Sequence, residues 1–510
     1  MGRISNSNRR EFLRRLSYAM LSGGTASLLP QLAFMPHAAA QTRGSGYRAL
    51  VCVYLAGAND SFNWLVPRDS QVTGSRYDSY RQARGGVYST TNTSGLALGF
   101  DDLLEITPSN QTIPYGLHPS CTDFTATNGA NTQPHSGLRS LVQQGKAAFV
   151  CNTGPLIQPT TRTQYESGVG LPKQLFSHND QELLWQIGIA DANNPAARFG
   201  WGARVAKQVA GGPLANGLSP TLSAAGTQRF LIGDQILPYQ LAPGGVDLID
   251  NYTPGVTGNN FSQQRRAVLD DLLDDAYSSP FAREYARTIS RSLSVGESLA
   301  TLLNDPGGAG SISTVFPQGN TLADQLAIVA RMIKISRNSL SAQRQVFFVR
   351  YGSFDLHNGM FAGAGAVATT GHGALLTPLN QALGAFWTAL GEISAQSEVT
   401  TFTMSDFGRT LSGNGDGSDH AWGGNALVLG GSVDGNKLYG KYPRLALNAN
   451  DNSAQEWSLA RGQYIPTTSA DQMAATLARW MGVTDSTALS AMFPLVGNFP
   501  SSNLGFMSGV

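Results

Sequence analysis

Charged side chains are scarce in this chain. Asp, Glu, Lys and Arg make up 14% of its 510 residues, against about 25% in ordinary soluble domains. Acidic and basic residues nearly balance, at 34 and 35. Proteins that bind nucleic acid through its phosphates need a basic surface, so the composition argues against nucleic acid as a partner.

Cysteine is also rare, with Cys52, Cys121 and Cys151 alone. Their spacing does not match a zinc-thiolate motif. Cys52 and Cys151 fall in apolar runs typical of strands, where a buried free thiol is the default expectation. A disulfide between them would require adjacent strands of suitable geometry, and the sequence leaves that pairing open.

Long apolar runs are missing beyond residue 40, and a membrane helix needs about twenty mostly apolar residues. The run from Leu16 to Phe34 is interrupted by Ser, Gly, Thr, Pro and Gln, which favours a cleaved export signal over a membrane span. We therefore expect no stable membrane span in the mature chain.

The first forty residues read as a twin-arginine signal. Arg9-Arg10 is followed by Glu11-Phe12-Leu13, and a small-residue stretch ends at Ala40, before Gln41. The mature protein is expected to span residues 41–510, to carry a net charge of −3 and to be periplasmic or secreted. The twin-arginine translocase would be its partner during export.

Continuous apolar runs of strand length predict a buried, mainly parallel sheet. From residue 321 onwards strands and helices alternate, which predicts a three-layer α/β/α domain. Residues 191–320 read as a helical insertion, and residues 68–116 as a long surface excursion. His118, His135 and His372 are expected to be surface or loop residues. The predicted strands cover residues 47–55, 147–152, 344–352, 399–408 and 425–431, and the later helices cover 321–338, 379–396 and 469–483.

Acidic and imidazole side chains follow several predicted strands within a few residues. Ligands of open α/β sheets bind beyond the carboxyl ends of the strands. A cluster of Asp and His at that edge can hold one or two divalent metals, and Zn, Mn or Fe(II) suit such ligands better than Ca or Mg. The candidate metal ligands are Asp60, Asp355, His357, Asp406 and His420. Each could instead be a turn former, a helix cap or a core histidine.

Ser177 and His178 open a predicted helix and are candidate catalytic residues. Ser177 followed by Asp180 also resembles a capping box, so the serine is either a cap, a nucleophile or a substrate contact. Ser61 is a rival nucleophile. Arg409 could hold an anionic substrate in a bidentate manner, or brace its loop.

Several of these segments also carry a family resemblance. In order, the chain resembles the exported bacterial family called domain of unknown function 1501, from about Tyr47 to about Phe499. The segments that carry the resemblance are "LAGANDSFNWLVP", "LHPS", "LFSHNDQELLWQ", "GSFDLHNG", "SDFGRT", "GSDHAWGGNALVLGGSVDGNKLYGKYP" and "TTSADQMAATLARWMGV".

That family is similar to the alkaline phosphatase and sulfatase superfamily, and the resemblance implies the same fold. It also implies a metal-dependent hydrolase of phosphate or sulfate esters, acting on a small anionic ester. The superfamily often has Asp-His where this chain has Asp406-Phe407, so one histidine of the superfamily's two-metal site is missing here. The alternative is a non-catalytic periplasmic binding or assembly protein that keeps the fold and one metal. A redox role for a bound metal is a third hypothesis.

Overall fold

The structure is a computed structural model. It describes residues 46–188, 198–211, 214, 217–246, 248, 261–361, 367–447 and 458–510. The predicted signal at residues 1–40 and several segments of the predicted insertion lie outside these ranges. No helix within them is long and apolar enough to cross a membrane.

Strands and α-helices are numbered in chain order. The strands are β1 Arg48–Ala56, β2 Leu65–Pro67, β3 Leu104–Ile106, β4 Tyr115–Leu117, β5 Phe124–Asn128, β6 Asn131–His135, β7 Ala147–Gly154, β8 Thr221–Ser223, β9 Tyr239–Gln240, β10 Arg344–Gly352, β11 Val399–Ser405, β12 Arg409–Gly413, β13 Ser418–His420, β14 Gly424–Gly430, β15 Leu438–Gly440 and β16 Thr468–Ser469. The helices are α1 Ser61–Trp64, α2 Arg76–Ala83, α3 Leu138–Gln143, α4 Arg162–Glu166, α5 His178–Ile187, α6 Trp201–Ala210, α7 Phe261–Leu273, α8 Pro280–Leu303, α9 Thr321–Asn338, α10 Gly371–Glu392, α11 Ala470–Met481 and α12 Ser486–Met492.

The central sheet has nine strands among the described residues. Its order is β15-β7-β14-β11-β1-β10-β8-β9, and β16 pairs with β7 beyond the end of β15. Within this sheet only β14 runs antiparallel to its neighbours. The prediction of a mainly parallel α/β sheet is therefore confirmed.

Helices cover both faces of the sheet because β1 is apolar on both. Ala49, Val51 and Val53 share one core with residues of α9 and α10. Leu50 and Cys52 share a second core with residues of α6, α11 and α12. Successive side chains of a strand point to opposite faces, so the uninterrupted apolar run found in the sequence corresponds to two cores and three layers.

The segment assigned to the helical insertion carries α6, α7 and α8, but also β8 and β9. Those two strands extend the central sheet beyond β10, so part of the segment belongs to the main domain.

Residues 68–116 were expected to run over the surface, and this prediction was wrong. They contain α2 and complete a small sheet of β2, β4 and β3. Tyr77, Tyr80 and Leu98 are buried there in a third core, together with Phe62. Tyr77, Tyr80 and Ala83 recur at intervals of three residues on α2, a helical spacing, so the sequence carried a short local signal of this core that the prediction did not use.

Candidate metal centre

The chain returns several times to one edge of the central sheet. β1 lies between β10 and β11 and is parallel to both, with Leu55 paired to Tyr351 and to Ser405. The loops that follow these three strands therefore leave at the same edge. Because β14 is antiparallel, the residues that precede it, including His420, reach this edge as well.

Three imidazole rings and one carboxylate meet at this edge. The Nε2 atom of His420 lies 3.2 Å from Nε2 of His178 and 2.9 Å from Nε2 of His357. Asp355 Oδ1 lies 3.1 Å from His357 Nε2 and 3.4 Å from His420 Nε2. We refer to His178, His357, His420 and Asp355 as the four-residue cluster. One ligand atom each from His178, Asp355 and His420 lies within 4.8 Å of the others.

Each of the three rings is held from behind through its Nδ1 atom. His178 Nδ1 lies 2.5 Å from Asp406 Oδ2, and His357 Nδ1 lies 3.1 Å from Asp419 Oδ1. His420 Nδ1 lies 2.7 Å from the carbonyl oxygen of Phe176. Ionised carboxylates and carbonyls only accept hydrogen bonds, so each neutral ring carries its proton on Nδ1. All three Nε2 lone pairs then point into the cluster.

The pKa values of the titratable groups at the site are shifted by burial and by their hydrogen-bond partners. The hydrogen bond to Asp406 raises the pKa of His178, whereas burial lowers the pKa of His420. Burial alone would raise the pKa of Asp355, but the hydrogen bond and charge of Arg409 outweigh it and lower that pKa. The pKa of Asp419 falls to about 2, because hydrogen bonds from Arg461, Asn414 and His357 outweigh its burial.

Arg409 was a candidate for substrate binding, and the structure places it below the surface. Its side chain is fully buried, and Nη1 lies 2.5 Å from Asp355 Oδ1. Nη2 donates to the carbonyl of Ser418, and Nε to its hydroxyl. Arg409 therefore braces Asp355 and the Ser418 loop, which was the alternative considered from the sequence.

Asp406 was proposed as a metal ligand but stands behind the cluster. Its buried carboxylate accepts from His178, from the amide of Gly57 at 3.0 Å and from the hydroxyl of Tyr54. With both oxygens engaged, Asp406 orients His178 instead of facing the other ligands.

Asp60 departs further from its expected role. Its Oδ1 atom accepts from Arg84 Nη2 at 2.6 Å, and both side chains are buried. The group of ligand atoms that the structure brings together does not include Asp60. The charge of Asp60 is neutralised by Arg84, a partner that the sequence gave no reason to choose.

Ser177 lies immediately before α5, between two residues that contact the cluster. Its hydroxyl donates to Asp180 Oδ2 at 2.5 Å and makes no capping bond to the helix backbone. The rival Ser61 is buried, and its Oγ accepts from the amide of Asn425 at 2.7 Å. Ser177 thus remains the better placed of the two hydroxyls.

Sequence reasoning missed several supporting residues. Phe176 has a left-handed φ of 71°, which is uncommon for a bulky residue, and its carbonyl holds His420. Tyr54 falls within the predicted strand at residues 47–55, and its hydroxyl donates to Asp406. Asp419 is held by Asn414, five residues before it, and by Arg461, which is 42 residues away along the chain. Only Asp419 carried a signal, as the neighbour of His420.

The remaining histidines were expected to be surface or loop residues. The loop assignment holds for His118, whereas His135 ends β6 and His372 lies in α10, and none of the three is at the surface. His118, His135 and His372 are all buried. His372 Nε2 lies 2.8 Å from Asn59 Oδ1, and His118 Nδ1 accepts from the amide of Ser120 at 3.1 Å. The three cysteines are also buried, as free thiols.

Comparison with known proteins supports the resemblance over part of the chain. Residues 322–493 match the family model described as protein of unknown function (DUF1501). No curated protein gave a significant match.

Among solved structures, the chain is similar to Ps i-CgsB in complex with k-i-k-neocarrahexaose, at 11% identity over 69% of each chain with a TM-score of 0.30. It is also similar to the PsFucS1 sulfatase from Pseudoalteromonas sp., at 9% identity over 94% of this chain and 73% of that one, with a TM-score of 0.30. Likenesses at this level carry no argument about function.

Proposed function

We propose that this protein is an exported, metal-dependent hydrolase of phosphate or sulfate esters, and that the four-residue cluster is its metal centre. The main observation behind this proposal is that the Nε2 atoms of three histidines lie close together and next to the Asp355 carboxylate. With their protons on Nδ1, the three neutral imidazoles cannot donate hydrogen bonds to one another through Nε2. A bound cation would accept all three lone pairs.

The donor set fits a divalent metal of the first transition row. Three imidazole nitrogens and one carboxylate oxygen suit Zn, Mn or Fe(II), whereas Mg and Ca prefer oxygen ligands. The acceptors behind each ring are the partners that usually fix metal-binding histidines. Once bound, the metal would polarise an ester oxygen and stabilise negative charge.

Arginine pairing leaves two carboxylates at the site for a divalent cation to balance. Asp355 is paired with Arg409, and Asp419 with Arg461. Asp406 and, beside the cluster, Asp180 have no ion pair with an arginine in the described part of the chain. The cation would balance these two charges and would bind the phosphate or sulfate group of an ester directly.

Ser177 supplies the hydroxyl that attacks in this proposal. It is flanked by Phe176, which holds His420, and by His178, a member of the cluster. In the positive field at the start of α5, an anionic ester would be stabilised beside this hydroxyl.

One observation favours the second candidate, a non-catalytic metal-binding protein. Four protein ligands close a tetrahedral site, and closed sites are typically structural, whereas catalytic sites keep an open position. His357 decides between the two. Its side chain is 43% exposed, against 25% for His420, so we assign His357 as the dispensable ligand of an open site.

The test compares metal content and turnover in the same samples. Protein purified without chelators is analysed for bound metal and assayed with p-nitrophenyl phosphate, bis(p-nitrophenyl) phosphate and p-nitrophenyl sulfate. We expect metal and turnover in the native chain. Asp355→Ala and His420→Ala should lose the metal while keeping the fold, and His357→Ala should retain it. Metal without turnover in the native chain would favour the binding protein, and no metal at all would remove both hypotheses.

A further inference from the structure

We propose that Asp180 is the general base that accepts the proton of Ser177. This inference rests on the proposed function and names a catalytic residue that the ligand set does not contain. It starts from one contact, the 2.5 Å hydrogen bond from Ser177 Oγ to Asp180 Oδ2.

The turn before Ser177 holds this hydroxyl in place. Gln174 and Phe176 both have left-handed φ values, 52° and 71°, and strained residues of this kind are concentrated at functional sites. The Phe176 carbonyl is tied to His420 on one side, and His178 joins the cluster on the other. Ser177 is therefore fixed at the border of the cluster by both of its neighbours.

A second helix of the same chain shows what a purely structural pair looks like. Ser75 and Asp78 have the same spacing at the start of α2. There the serine Oγ accepts from the Asp78 amide at 3.0 Å, as an N-cap does, and donates to the carbonyl of Ser70. Asp78 Oδ2 accepts from the amide of Gly74.

Ser177 departs from that pattern. Its hydroxyl makes no capping bond and is directed instead at the Asp180 carboxylate. Among the described residues no Lys or Arg forms an ion pair with Asp180, so the Ser177 hydroxyl is the donor that the structure places at its Oδ2 atom. Serine and aspartate at the same spacing thus form a helix cap in α2, whereas in α5 they form a hydrogen-bonded side-chain pair beside the cluster.

The reaction that follows is balanced. As Ser177 Oγ bonds to the phosphorus or sulfur of the ester, its proton passes to Asp180 Oδ2. The bond to the ester oxygen breaks, and that oxygen leaves with the electron pair as an alkoxide, which takes a proton from solvent to become the alcohol. Water then attacks the serine ester, the bond to Oγ breaks, and Oγ takes back the proton from Asp180. The acid product keeps the water oxygen and releases its proton to solvent.

Serine labelling tests this role without requiring turnover. Diisopropyl fluorophosphate transfers its phosphoryl group to an activated hydroxyl and releases fluoride. Labelling of the native chain, of Asp180→Asn and of Asp180→Glu is followed by intact mass and peptide mapping, with and without EDTA. Asp78→Asn is the matched control, and Ser177→Ala identifies the labelled position.

We expect the native chain to be labelled at Ser177. Asp180→Asn should be labelled about 100-fold more slowly, the lower range for loss of a general base. Asp180→Glu should recover part of the rate, and Asp78→Asn should match the native chain. Thermal unfolding of each variant verifies that it is folded.

Two results would overturn the assignment. One is equal labelling of Ser177 in Asp180→Asn and the native chain, and the other is no label at Ser177 in the native chain. Equal labelling overturns the role of Asp180 alone, and a missing label also removes Ser177 from the proposed reaction. Both results are distinct from a failure of the proposed metal-dependent hydrolase, which would show as missing metal or missing turnover in the native chain.

Discussion

At the scale of single residues, the partner of a carboxylate decides its role at the sheet edge. Asp60, Asp355 and Asp406 all follow a strand by a few residues. Arg84 neutralises the buried Asp60, and Asp406 accepts from three donors behind the cluster, including His178 Nδ1. Asp355 is the carboxylate of the three that contacts the Nε2 atoms. Burying an ionised carboxylate without a hydrogen-bond or ion-pair partner costs free energy. Each carboxylate therefore pairs with the donors that lie nearest to it in the folded chain.

The role of Asp406 can be tested through metal affinity. Asp406→Asn removes the negative charge behind His178, and loss of such a partner typically weakens metal binding about 10–100-fold. Tyr54→Phe is the control, because it removes one donor to Asp406 but keeps the carboxylate. We expect its affinity for Zn²⁺, measured by calorimetry, to change much less. Equal affinities in the native chain and Asp406→Asn would show that Asp406 does not support the site.

The buried histidines predict a sensitivity to acid. Burial, together with the charges of Arg84 and Arg409, lowers the pKa of His372 to about 3. The unfolded chain has the ordinary value of about 6.5. Below pH 6.5 His372 is therefore protonated in the unfolded state but not in the folded state. The free energy of unfolding decreases as the pH falls from 6.5 towards 3.

His372→Gln should remove this dependence, since glutamine can still donate to Asn59. The free energy of unfolding of the native chain should fall relative to the variant by up to about 1.4 kcal/mol per pH unit between pH 6.5 and pH 4.5. Urea unfolding at several pH values measures the difference. Parallel pH profiles for the two proteins would contradict the assignment of a neutral, buried His372.

At the scale of elements, the loops that follow β1 and β10 pack closely against each other at Gly57. This residue has a φ of 97°, and an added Cβ would lie 2.7 Å from the amide nitrogen of Asp355. Its own amide donates to Asp406. Gly57 thus sets the distance between the loop that carries Asp355 and the residue that supports His178.

Gly57→Ala should disturb both the fold and the site. We expect a loss of more than about 2 kcal/mol of stability and weaker metal binding, because the loop with Asp355 must move. Gly74→Ala is the matched control, since Gly74 has a φ of 85° with nothing within 4 Å of its added Cβ. It should cost about 1 kcal/mol and leave metal affinity unchanged. Thermal unfolding and calorimetry on both variants check this, and normal metal affinity in Gly57→Ala would contradict it.

At the scale of the whole molecule, the fold is built around a sheet whose central strands are buried on both faces. Such a sheet places its polar, reactive groups at its edge, and the four-residue cluster lies there. The cluster draws on chain positions from 178 to 420, so it exists only in the folded protein. A site of this kind is compatible with the twin-arginine route, which carries folded proteins.

Export by that route remains a prediction, because residues 1–45 lie outside the described ranges. Replacing Arg9 and Arg10 together by Lys should stop export of the full chain, while the metal centre, built from residues 178–420, stays intact. The measurement is the share of protein in the periplasmic and culture fractions against the cytoplasmic fraction. Unchanged export of the double variant would rule out a twin-arginine signal.

The sequence by itself determined five of the nine strands described in the central sheet, namely β1, β7, β10, β11 and β14. The predicted bounds of α9 and β10 coincide with those in the structure, 321–338 and 344–352. Helical periodicity and continuous apolar runs are local properties, and they hold whatever the rest of the chain does. Sequence order also placed Asp355, His357, Asp406 and His420 at strand ends.

Tertiary structure decided which of these groups face one another. The antiparallel direction of β14 brings His420 to the carboxyl edge, and pairing with Arg84 removes Asp60 from it. The burial of His118 and His372 and the core around Tyr77 likewise depend on residues far away along the chain. Hydrogen bonds and charges act over a few ångströms in space, so the choice of partner is made only when the folded chain brings the groups together.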